Sequence, residues 1–218
     1  YAPVCLITLY NSSGVLILPQ RQTGLVAKQA AEVDLLSDGR LRLGVGVGWN
    51  HVEYEALDCE WKTRGIKQAE QIEVLRKLWT EELVTFEGRF HKYNEVTIVP
   101  SPKQRPIPIW IGGSADSVIK RAAKLGDGWM PILSPDKEGK TALEKLYTYL
   151  EEFGRKREGF GIETWMRFSE DNPEVWGATA DEWRSMGVDM AMLYPMWEIK
   201  GVDGQIEILR KFKEVAHS

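Results

Sequence analysis

The sequence is poor in the residues that hold metals and disulfides. Its 218 residues include only two cysteines, Cys5 and Cys59, and three histidines. The cysteines do not follow the spacing of a metal site, and nothing resembles a secretory leader with a charged start and an apolar run. These absences predict that no metal is bound and favour a reduced, cytoplasmic setting.

Long apolar runs and charge of one sign are also lacking. The longest apolar runs, such as residues 4–9 and 15–19, are far shorter than the ~20 residues that cross a bilayer. Acidic and basic residues are interspersed and leave a net charge of -4, which argues against nucleic acid and membrane surfaces as partners. With 43% hydrophobic residues the chain can bury a core, and we predict a globular protein with a small-molecule partner.

What the sequence does contain is an alternation of short β-branched runs with stretches of helical period. This is the pattern of repeated βα units around a parallel sheet, so the predicted fold class is α/β. The predicted strands are residues 15–18, 41–47, 107–111, 128–132, 162–168 and 190–194. The predicted helices are residues 25–36, 66–80, 117–125, 137–153, 180–186 and 203–215.

Residues 83–100 interrupt this alternation. Two strand-like runs, residues 84–86 and 91–99, flank Glu87, Gly88 and Arg89, which predicts an inserted β-hairpin. No repeat, low-complexity tract or linker divides the chain, so residues 1–218 are predicted to form a single domain.

Six βα units fill the chain from residue 15 onward. A closed (β/α)8 barrel usually needs about 250 residues, so for that fold the first two units are expected to be missing. An open, doubly wound sheet of six strands would instead use the whole chain. The order of predicted strands and helices alone does not distinguish the barrel from the open sheet.

One predicted strand ends in alternating glycines. Gly44, Gly46 and Gly48 occupy every second position and precede Trp49 and Asn50. Such glycines leave one face of a strand end without side chains, so a flat ring or a phosphate can approach the backbone. The third glycine of the dinucleotide fingerprint would fall at Trp49, which argues against a Rossmann site. Glycines that only allow close helix packing are the structural alternative.

A pair of adjacent glycines follows the strand predicted at residues 107–111. Gly112, Gly113 and Ser114 lead into the next predicted helix. Free backbone N–H groups and a hydroxyl at a helix start form a favourable site for an anion such as a phosphate. The alternative is an ordinary βα turn in which Ser114 or Asp116 caps the helix.

Ten stretches carry a resemblance to a known family: residues 18–19, 27–31, 34–40, 44–50, 53–57, 64–65, 78–80, 85–88, 106–113 and 126–129. Taken in order along the chain, they resemble the luciferase-like monooxygenase superfamily, and most closely its members that use the deazaflavin coenzyme F420. The resemblance implies a (β/α)8 TIM barrel rather than an open sheet. The six predicted strands would then be its third to eighth.

The resemblance also implies which residues bind the coenzyme. The coenzyme phosphate is expected at Gly112, Gly113 and Ser114. The ring or the ribityl chain is expected beside the glycines that end the strand at residues 41–47. A non-prolyl cis peptide bond is expected behind the ring at Gly14–Val15. The residues implied in this way are Gly14, Val15, Gly46, Gly48, Trp49, Asn50, Gly112, Gly113 and Ser114.

The implied activity is transfer of a hydride between coenzyme F420 and a small organic substrate. If the coenzyme is flavin mononucleotide (FMN), the same barrel would be an FMN-dependent monooxygenase. We also expect a homodimer. Two hypotheses of other classes are a non-catalytic coenzyme-binding barrel or fragment, and a barrel enzyme that acts on a phosphorylated substrate without a redox coenzyme.

The sequence does not identify a catalytic acid or base. Relatives commonly present one, often histidine, from the loop after the second strand, which this sequence does not contain. His51 is expected in an exposed loop, His91 in the hairpin and His217 in the tail. Deazaflavin dehydrogenases of the superfamily carry a glutamate where this chain has Trp49, which argues against a sugar-phosphate dehydrogenase.

Several matching residues are expected to be structural. Asp34, Ser37 and Arg40 lie where a predicted helix leads into the strand at residues 41–47, far from the carboxyl ends of the strands. Asp127 stands at the start of a strand. Sites in these barrels form at the carboxyl ends of the strands, so we expect all four residues at the barrel base.

Overall fold

A computed structural model describes residues 11–167, 173–194 and 201–216. The apolar run at residues 4–9 with Cys5, and also Phe168 and His217, lie outside the described residues. The described part of the chain divides into two compact units. The first comprises residues 11–112 with 125–127, and the second comprises residues 113–124 with the described residues from 128 onward. The single domain stays a prediction.

Strands and helices alternate along the chain as predicted. The strands are β1 (Asn11–Ser12), β2 (Leu16–Ile17), β3 (Leu41–Gly46), β4 (Val84–Glu87), β5 (Lys92–Val96), β6 (Ile109–Gly112), β7 (Gly128–Met130), β8 (Gly161–Arg167) and β9 (Met190–Tyr194). The helices are α1 (Thr23–Leu36), α2 (His51–Ala56), α3 (Arg64–Thr80), α4 (Asp116–Leu125), α5 (Lys137–Glu152), α6 (Pro173–Ser185) and α7 (Val202–Ala216). The α/β class is confirmed, whereas β1 and α2 were not predicted. Helix α6 begins at Pro173 and not near residue 180, because proline is well suited to the first helical position.

In the first unit, β1 and β2 form one interrupted strand beside β3. Both pair with β3 in parallel, and β3 pairs in parallel with β6. Asn11 lies opposite Leu41 and Leu16 opposite Val45, so the first strand needs one more residue than its partner to cover the same distance. The extra residue forms a bulge at residues 13–15.

The bulge is held by its own backbone and side chains. Ser13 Oγ donates to the carbonyl oxygen of Gly44 at 2.9 Å. The Gly14–Val15 peptide bond is cis, which confirms the prediction. Beyond the bulge the strand is shorter than predicted, because the chain turns into a 3-10 helix at Leu18–Gln20. Pro19 lacks the N–H that would continue the strand ladder.

The core of the first unit lies where α1 and α3 pack together. The indole nitrogen of Trp79 donates to the carbonyl oxygen of Ala27 at 3.0 Å. The Gln71 amide nitrogen donates to the carbonyl oxygens of Leu18 and Arg21, at 3.1 and 3.2 Å. Buried apolar side chains of α3 follow helical spacing and include Ile72, Leu75 and Leu78. Helix α3 thereby fixes the chain that follows β2.

Strands β4 and β5 form the predicted antiparallel hairpin. Its turn packs closely against α3. A Cβ atom added to Gly88 would lie only 2.6 Å from Glu70 Cδ. Carbon atoms in contact are normally about 3.5–4.0 Å apart, so only glycine fits at this point of the turn.

The Glu70 carboxylate holds the turn in place. Its Oε2 accepts the N–H of Arg89, and its Oε1 accepts the N–H of Phe90 and Nδ1 of His91, each at 2.8 Å. His91 Nε2 lies 2.6 Å from Thr23 Oγ1 at the start of α1. Burial raises the pKa of the Glu70 carboxyl, but the hydrogen bonds from His91, Phe90 and Arg89 outweigh burial and hold the pKa below its usual value. The hairpin is therefore pinned to both α1 and α3.

In the second unit, β7, β8 and β9 pair in parallel in that order. Helices α4 and α5 are joined at their surface, where Lys145 and Tyr149 donate to the Asp116 carboxylate at 3.0 and 2.9 Å. The buried side chains of this unit include Val118, Ile119, Trp129, Leu143, Leu146, Phe160, Ile162 and Trp183. Within the described ranges, no helix is both long enough and apolar enough to cross a bilayer.

Asp34 has the structural role that was predicted for it. Its side chain is fully buried beside the start of β3. It accepts the backbone N–H and the side-chain amide of Gln104 at 2.8 and 2.7 Å, and that amide also donates to the Leu41 carbonyl. Ser37 Oγ donates to the Asp34 carbonyl, and Arg40 Nε to the Ser37 carbonyl. These contacts lie at the amino-terminal end of β3.

Two further aspartates each clamp a strand start by exchanging two hydrogen bonds with one residue. Asp127 exchanges hydrogen bonds with Ile109, since its N–H donates at 2.7 Å to the Ile109 carbonyl and its Oδ2 accepts the Ile109 N–H at 2.8 Å. Asp189 makes the equivalent pair with Ile162, at 3.1 and 2.7 Å. The arginines that donate to the same Oδ2 atoms are Arg76 at 2.9 Å and Arg157 at 2.8 Å.

Candidate functional site

Val15 packs between the carboxyl ends of β3 and β6. A Cβ atom added to Gly46 would lie 2.7 Å from Val15 Cγ2, and one added to Gly112 would lie 2.8 Å from Val15 Cγ1. Both distances are far shorter than a carbon–carbon contact of about 3.5–4.0 Å. The strand face expected to be bare is therefore filled by Val15, which the bulge brings there. The partly exposed Val15 forms a small apolar floor.

Gly48 turns the chain away from β3. Its φ of +70° lies in the left-handed region that favours glycine. An added Cβ atom would lie 3.1 Å from Ile17 Cγ2, so the turn also presses against the neighbouring strand. Trp49 follows this turn with its side chain 88% exposed.

Asn50 is the N-cap of α2, a helix that was not predicted. Its Oδ1 accepts the N–H of Val52 at 3.1 Å, and its Nδ2 donates to Glu53 Oε1 at 3.3 Å. An N-cap residue followed three positions later by glutamate is the sequence signature of a helix start. This signal could have revealed α2, which is too short to show a helical period. The Asn50 side chain is thus engaged in a cap.

Tyr54 anchors α2 below the loop that carries Trp49. Its hydroxyl donates to the Val47 carbonyl at 2.6 Å, and its ring meets the Trp61 ring edge-on at 5.1 Å. Burial raises the pKa of the Tyr54 hydroxyl to about 12. Tyr54 is therefore neutral at physiological pH and serves as a fixed donor, not as an acid or base.

Replacing Tyr54 by phenylalanine should lower the free energy of unfolding by about 1 kcal/mol, the net value of one buried hydrogen bond. Because the folded-state pKa is raised, the contribution of Tyr54 should be full below pH 10.0, its ordinary pKa, and decline as the pH rises toward about 12. Urea unfolding at pH 7 and at pH 11 measures both effects. An equal difference between wild type and Tyr54→Phe at the two pH values would contradict this assignment.

The turn after β6 is less open to an anion than predicted. Gly113 has a φ of +122°, but its N–H donates to the Met130 carbonyl at 3.1 Å. Ser114 Oγ accepts the N–H of Ile132 at 3.1 Å and does not cap α4. The indole nitrogen of Trp129 donates to the Gly113 carbonyl at 2.8 Å. The expectation that the N–H of Gly113 is free was therefore wrong, because β7 takes it up.

A cavity of about 440 Å³ lies beside Ser114 in the second unit. Lys145 is already bound to Asp116, and the hydrogen bonds from Lys145 and Tyr149 hold the pKa of that carboxyl below its usual value. Lys137 makes no ion pair with any residue that the structure describes. The residues lining the cavity are Ser114, Ile119, Leu133, Lys137, Glu138, Thr141, Ala142 and Lys145. The Ser114 hydroxyl precedes α4, and the ammonium group of Lys137 lies at the first residue of α5. A hydroxyl and an ammonium group on one cavity fit a phosphate.

The predicted coenzyme-binding residues fall into three groups. Gly14, Val15, Gly46 and Gly112 surround the apolar floor in the first unit. The loop after β3 carries Gly48, Trp49 and Asn50, and the second unit carries Gly113 and Ser114. Sequence reasoning missed Lys137, which lies 23 positions after Ser114 and belongs to no recognisable motif.

The two described histidines do not present a proton donor at the floor. His51 is exposed at the start of α2, with its ring 6.4 Å from that of Trp61. His91 contacts Glu70 and Thr23 through its two ring nitrogens. His51 was expected in a loop and lies in a helix, because Asn50 caps that helix. His91 was expected in the hairpin, where it is found.

Residues 10–190 match the sequence profile described as luciferase-like monooxygenase. This match covers most of the chain. The protein belongs to the luciferase-like monooxygenase family. The resemblance inferred from its motifs is thereby confirmed.

Curated relatives of this luciferase-like chain include enzymes with different coenzymes. An uncharacterized protein of Mycobacterium tuberculosis is 41% identical over 53% of the chain and 40% of its own length. An F420-dependent glucose-6-phosphate dehydrogenase of Nakamurella multipartita is 32% identical over 61% of the chain and 40% of its own length. An FMNH2-dependent dimethylsulfone monooxygenase of Pseudomonas putida is 35% identical over 47% of the chain and 30% of its own length. The matches thus span less than half of each relative.

Solved structures of other proteins share the fold of this luciferase-like chain. The monooxygenase RslO1 from Streptomyces bottropensis has a TM-score of 0.83 at 21% identity, covering 94% of this chain and 77% of that one. The coenzyme F420-dependent tetrahydromethanopterin reductase from Methanopyrus kandleri has a TM-score of 0.74 at 15% identity, covering 95% and 80%. At these identities the likeness shows the fold alone, and it confirms the luciferase-like TIM-barrel class.

Proposed function

We propose that the protein binds the deazaflavin coenzyme F420 and transfers a hydride between it and a small organic substrate. The observation that carries the proposal is the Val15 floor, which Gly46 and Gly112 admit at the carboxyl ends of two parallel strands. Active sites of barrels of this type lie at that end of the strands. The match to an F420-dependent glucose-6-phosphate dehydrogenase supports the choice of coenzyme.

In this proposal the chain holds the coenzyme at two places. Val15 and Gly14 support one face of the ring, with Gly46, Gly48, Trp49 and Asn50 at its border. The phosphate stays predicted near Gly112, Gly113 and Ser114. Because the N–H of Gly113 already donates to the Met130 carbonyl, the Ser114 hydroxyl and the ammonium group of Lys137 are the groups that we propose as its contacts. When bound, the deazaflavin supplies a hydride-carrying ring carbon.

The residues of the chain then have to orient the coenzyme ring and shield it from water. An apolar floor without a titratable group keeps the ring from tilting and excludes water from one of its faces. Holding the substrate against the opposite face makes the transfer intramolecular, which accounts for much of the rate. The proton that accompanies the hydride requires a donor outside the floor.

The second candidate is an FMN-dependent monooxygenase. The observation in its favour is the 35% identity to the FMNH2-dependent dimethylsulfone monooxygenase. The same floor and phosphate contacts would hold FMN, because coenzyme chemistry in this family is set by the ring and not by the fold. A homodimer and a cytoplasmic location stay predictions under both candidates.

An absorbance titration of the purified protein with coenzyme F420 and, separately, with FMN tests the proposal. We expect saturable binding of F420 that is at least tenfold tighter than binding of FMN. Tighter binding of FMN would favour the monooxygenase. Binding of neither coenzyme would overturn both candidates.

The Lys137→Ala variant should weaken coenzyme binding about tenfold, the effect expected from losing one charge-assisted contact to a phosphate. The matched control is Lys140→Ala, which removes an exposed lysine from the same helix but away from the cavity. Its dissociation constant should stay within twofold of wild type. Equal losses in the two variants would indicate a general effect of charge and contradict the assigned contact.

A further inference from the structure

The indole of Trp49 is exposed to solvent and has no packing role in the described part of the fold. Its side chain is 88% exposed, although an indole is among the most costly groups to leave in water. Among residues 11–167, 173–194 and 201–216, none stacks on its ring or hydrogen-bonds to its indole nitrogen. A side chain of this size does not stabilise the fold from such a position.

The backbone beneath Trp49 is nevertheless fixed on both sides. Gly48 presses on Ile17, and the hydroxyl of Tyr54 holds the Val47 carbonyl at 2.6 Å. On the other side, Asn50 caps α2 with a hydrogen bond of 3.1 Å. A rigid frame that carries a free aromatic ring loses little conformational entropy when a ligand stacks on that ring.

The charges close to Trp49 in the sequence disfavour one class of ligand. From residue 43 to residue 61 the chain contains no lysine or arginine. The same stretch exposes four carboxylates, those of Glu53, Glu55, Asp58 and Glu60. Of the two cations that follow, Lys62 is exposed, and Arg64 stacks its guanidinium on Trp61 at 3.5 Å and donates to the Trp61 carbonyl. The four carboxylates outnumber these two cations, which disfavours a phosphate or carboxylate ligand over an uncharged one.

We propose that the indole of Trp49 is the specificity-determining surface of the site and selects an uncharged, planar, apolar substrate. The inference rests on the proposed function. The backbone of Trp49 borders the coenzyme, and its indole covers the substrate. Val52, 55% exposed on the first turn of α2, extends the apolar surface. A glucose-6-phosphate dehydrogenase activity, such as the Nakamurella multipartita relative has, is therefore not expected.

The test measures binding to the coenzyme-loaded protein by calorimetry, with 2-naphthamide as the uncharged planar probe and glucose 6-phosphate as the anionic one. Wild type should bind 2-naphthamide at least tenfold more tightly than glucose 6-phosphate. Trp49→Ala should weaken 2-naphthamide about tenfold, and Trp49→Phe should stay within threefold, because a smaller ring still stacks. The coenzyme affinity of Trp49→Ala is measured separately, and 2-naphthamide is titrated at saturating coenzyme, so that a change in substrate binding is not confused with a change in coenzyme binding.

The matched control is Leu36→Ala, which removes an apolar side chain of equal exposure at the end of α1. It should leave 2-naphthamide affinity unchanged. Unchanged 2-naphthamide affinity in Trp49→Ala, or tighter binding of glucose 6-phosphate by wild type, would overturn the inference while coenzyme binding stands. A loss of coenzyme affinity in Trp49→Ala that exceeds its loss of 2-naphthamide affinity at saturating coenzyme would make the indole a coenzyme contact and also overturn it. If wild type binds no coenzyme, the proposed function and this inference fail together.

Discussion

Replacing Gly46 by alanine should lower the free energy of unfolding by about 2–3 kcal/mol, near the upper end of the range for overpacking a core site. The new methyl group would start 2.7 Å from Val15 Cγ2. Val15 cannot turn away easily, because a β-branched side chain has few allowed rotamers. Urea unfolding followed by circular dichroism measures the loss.

The cause of this loss can be isolated by a double-mutant cycle. Val15→Ala removes both methyl groups that approach the two glycines, so Val15→Ala/Gly46→Ala should recover at least half of the loss caused by Gly46→Ala. The matched control is Gly24→Ala in α1, where an added Cβ atom would meet only the Tyr93 hydroxyl at 3.6 Å. That variant should be neutral or slightly stabilising. Additive effects of the two substitutions would contradict the floor as described.

Glu70→Gln should cost about 2–3 kcal/mol at pH 7, since bonds to a buried charged group contribute about 1.5–3 kcal/mol. The amide keeps one acceptor but turns a donor toward the N–H groups of the hairpin. Only 13% of the Glu70 side chain and 9% of the His91 side chain are exposed, so water cannot replace the lost contacts. Glu73→Gln, on the same helix and exposed, is the control and should change stability by less than about 0.5 kcal/mol.

The effect of Glu70 should also depend on pH. The folded-state pKa of Glu70 is lowered from 4.5, so its stabilisation is present above that pH and is lost as the pH falls through the lowered value. The difference in unfolding free energy between wild type and Glu70→Gln should therefore shrink below pH 4.5. A difference that stays constant from pH 7 to pH 3 would show that the carboxylate is not what holds the hairpin.

The elements that the sequence predicts well are those with a long hydrophobic period. Helices α3 and α5 each run for four turns or more, and their predicted bounds differ from the observed ones by no more than two residues. Helix α2 has only six residues and one buried side chain, Tyr54, so no period exists to detect. Its start was readable from the cap at Asn50 alone.

The site was harder to predict because its parts meet only through tertiary structure. The glycines were correctly singled out, but their purpose depends on Val15, which lies 31 positions before Gly46 and enters through a bulge. Similarly, the N–H of Gly113 was expected to be free, yet the Met130 carbonyl accepts it. A pattern along the chain shows which residues are unusual, whereas their partners appear only when distant segments are folded together.

The aspartate clamps at Asp127 and Asp189 have a consequence for how the chain folds. Each joins its strand start to a residue only 18 or 27 positions away, although Arg76, from a more distant part of the chain, also donates to the Asp127 carboxylate. The registration of neighbouring strands can thus be set within one βα unit before distant strands meet. Native contacts of short sequence separation speed folding, because little loop entropy is lost in forming them. Such a chain can acquire its order one unit at a time, as it emerges during synthesis.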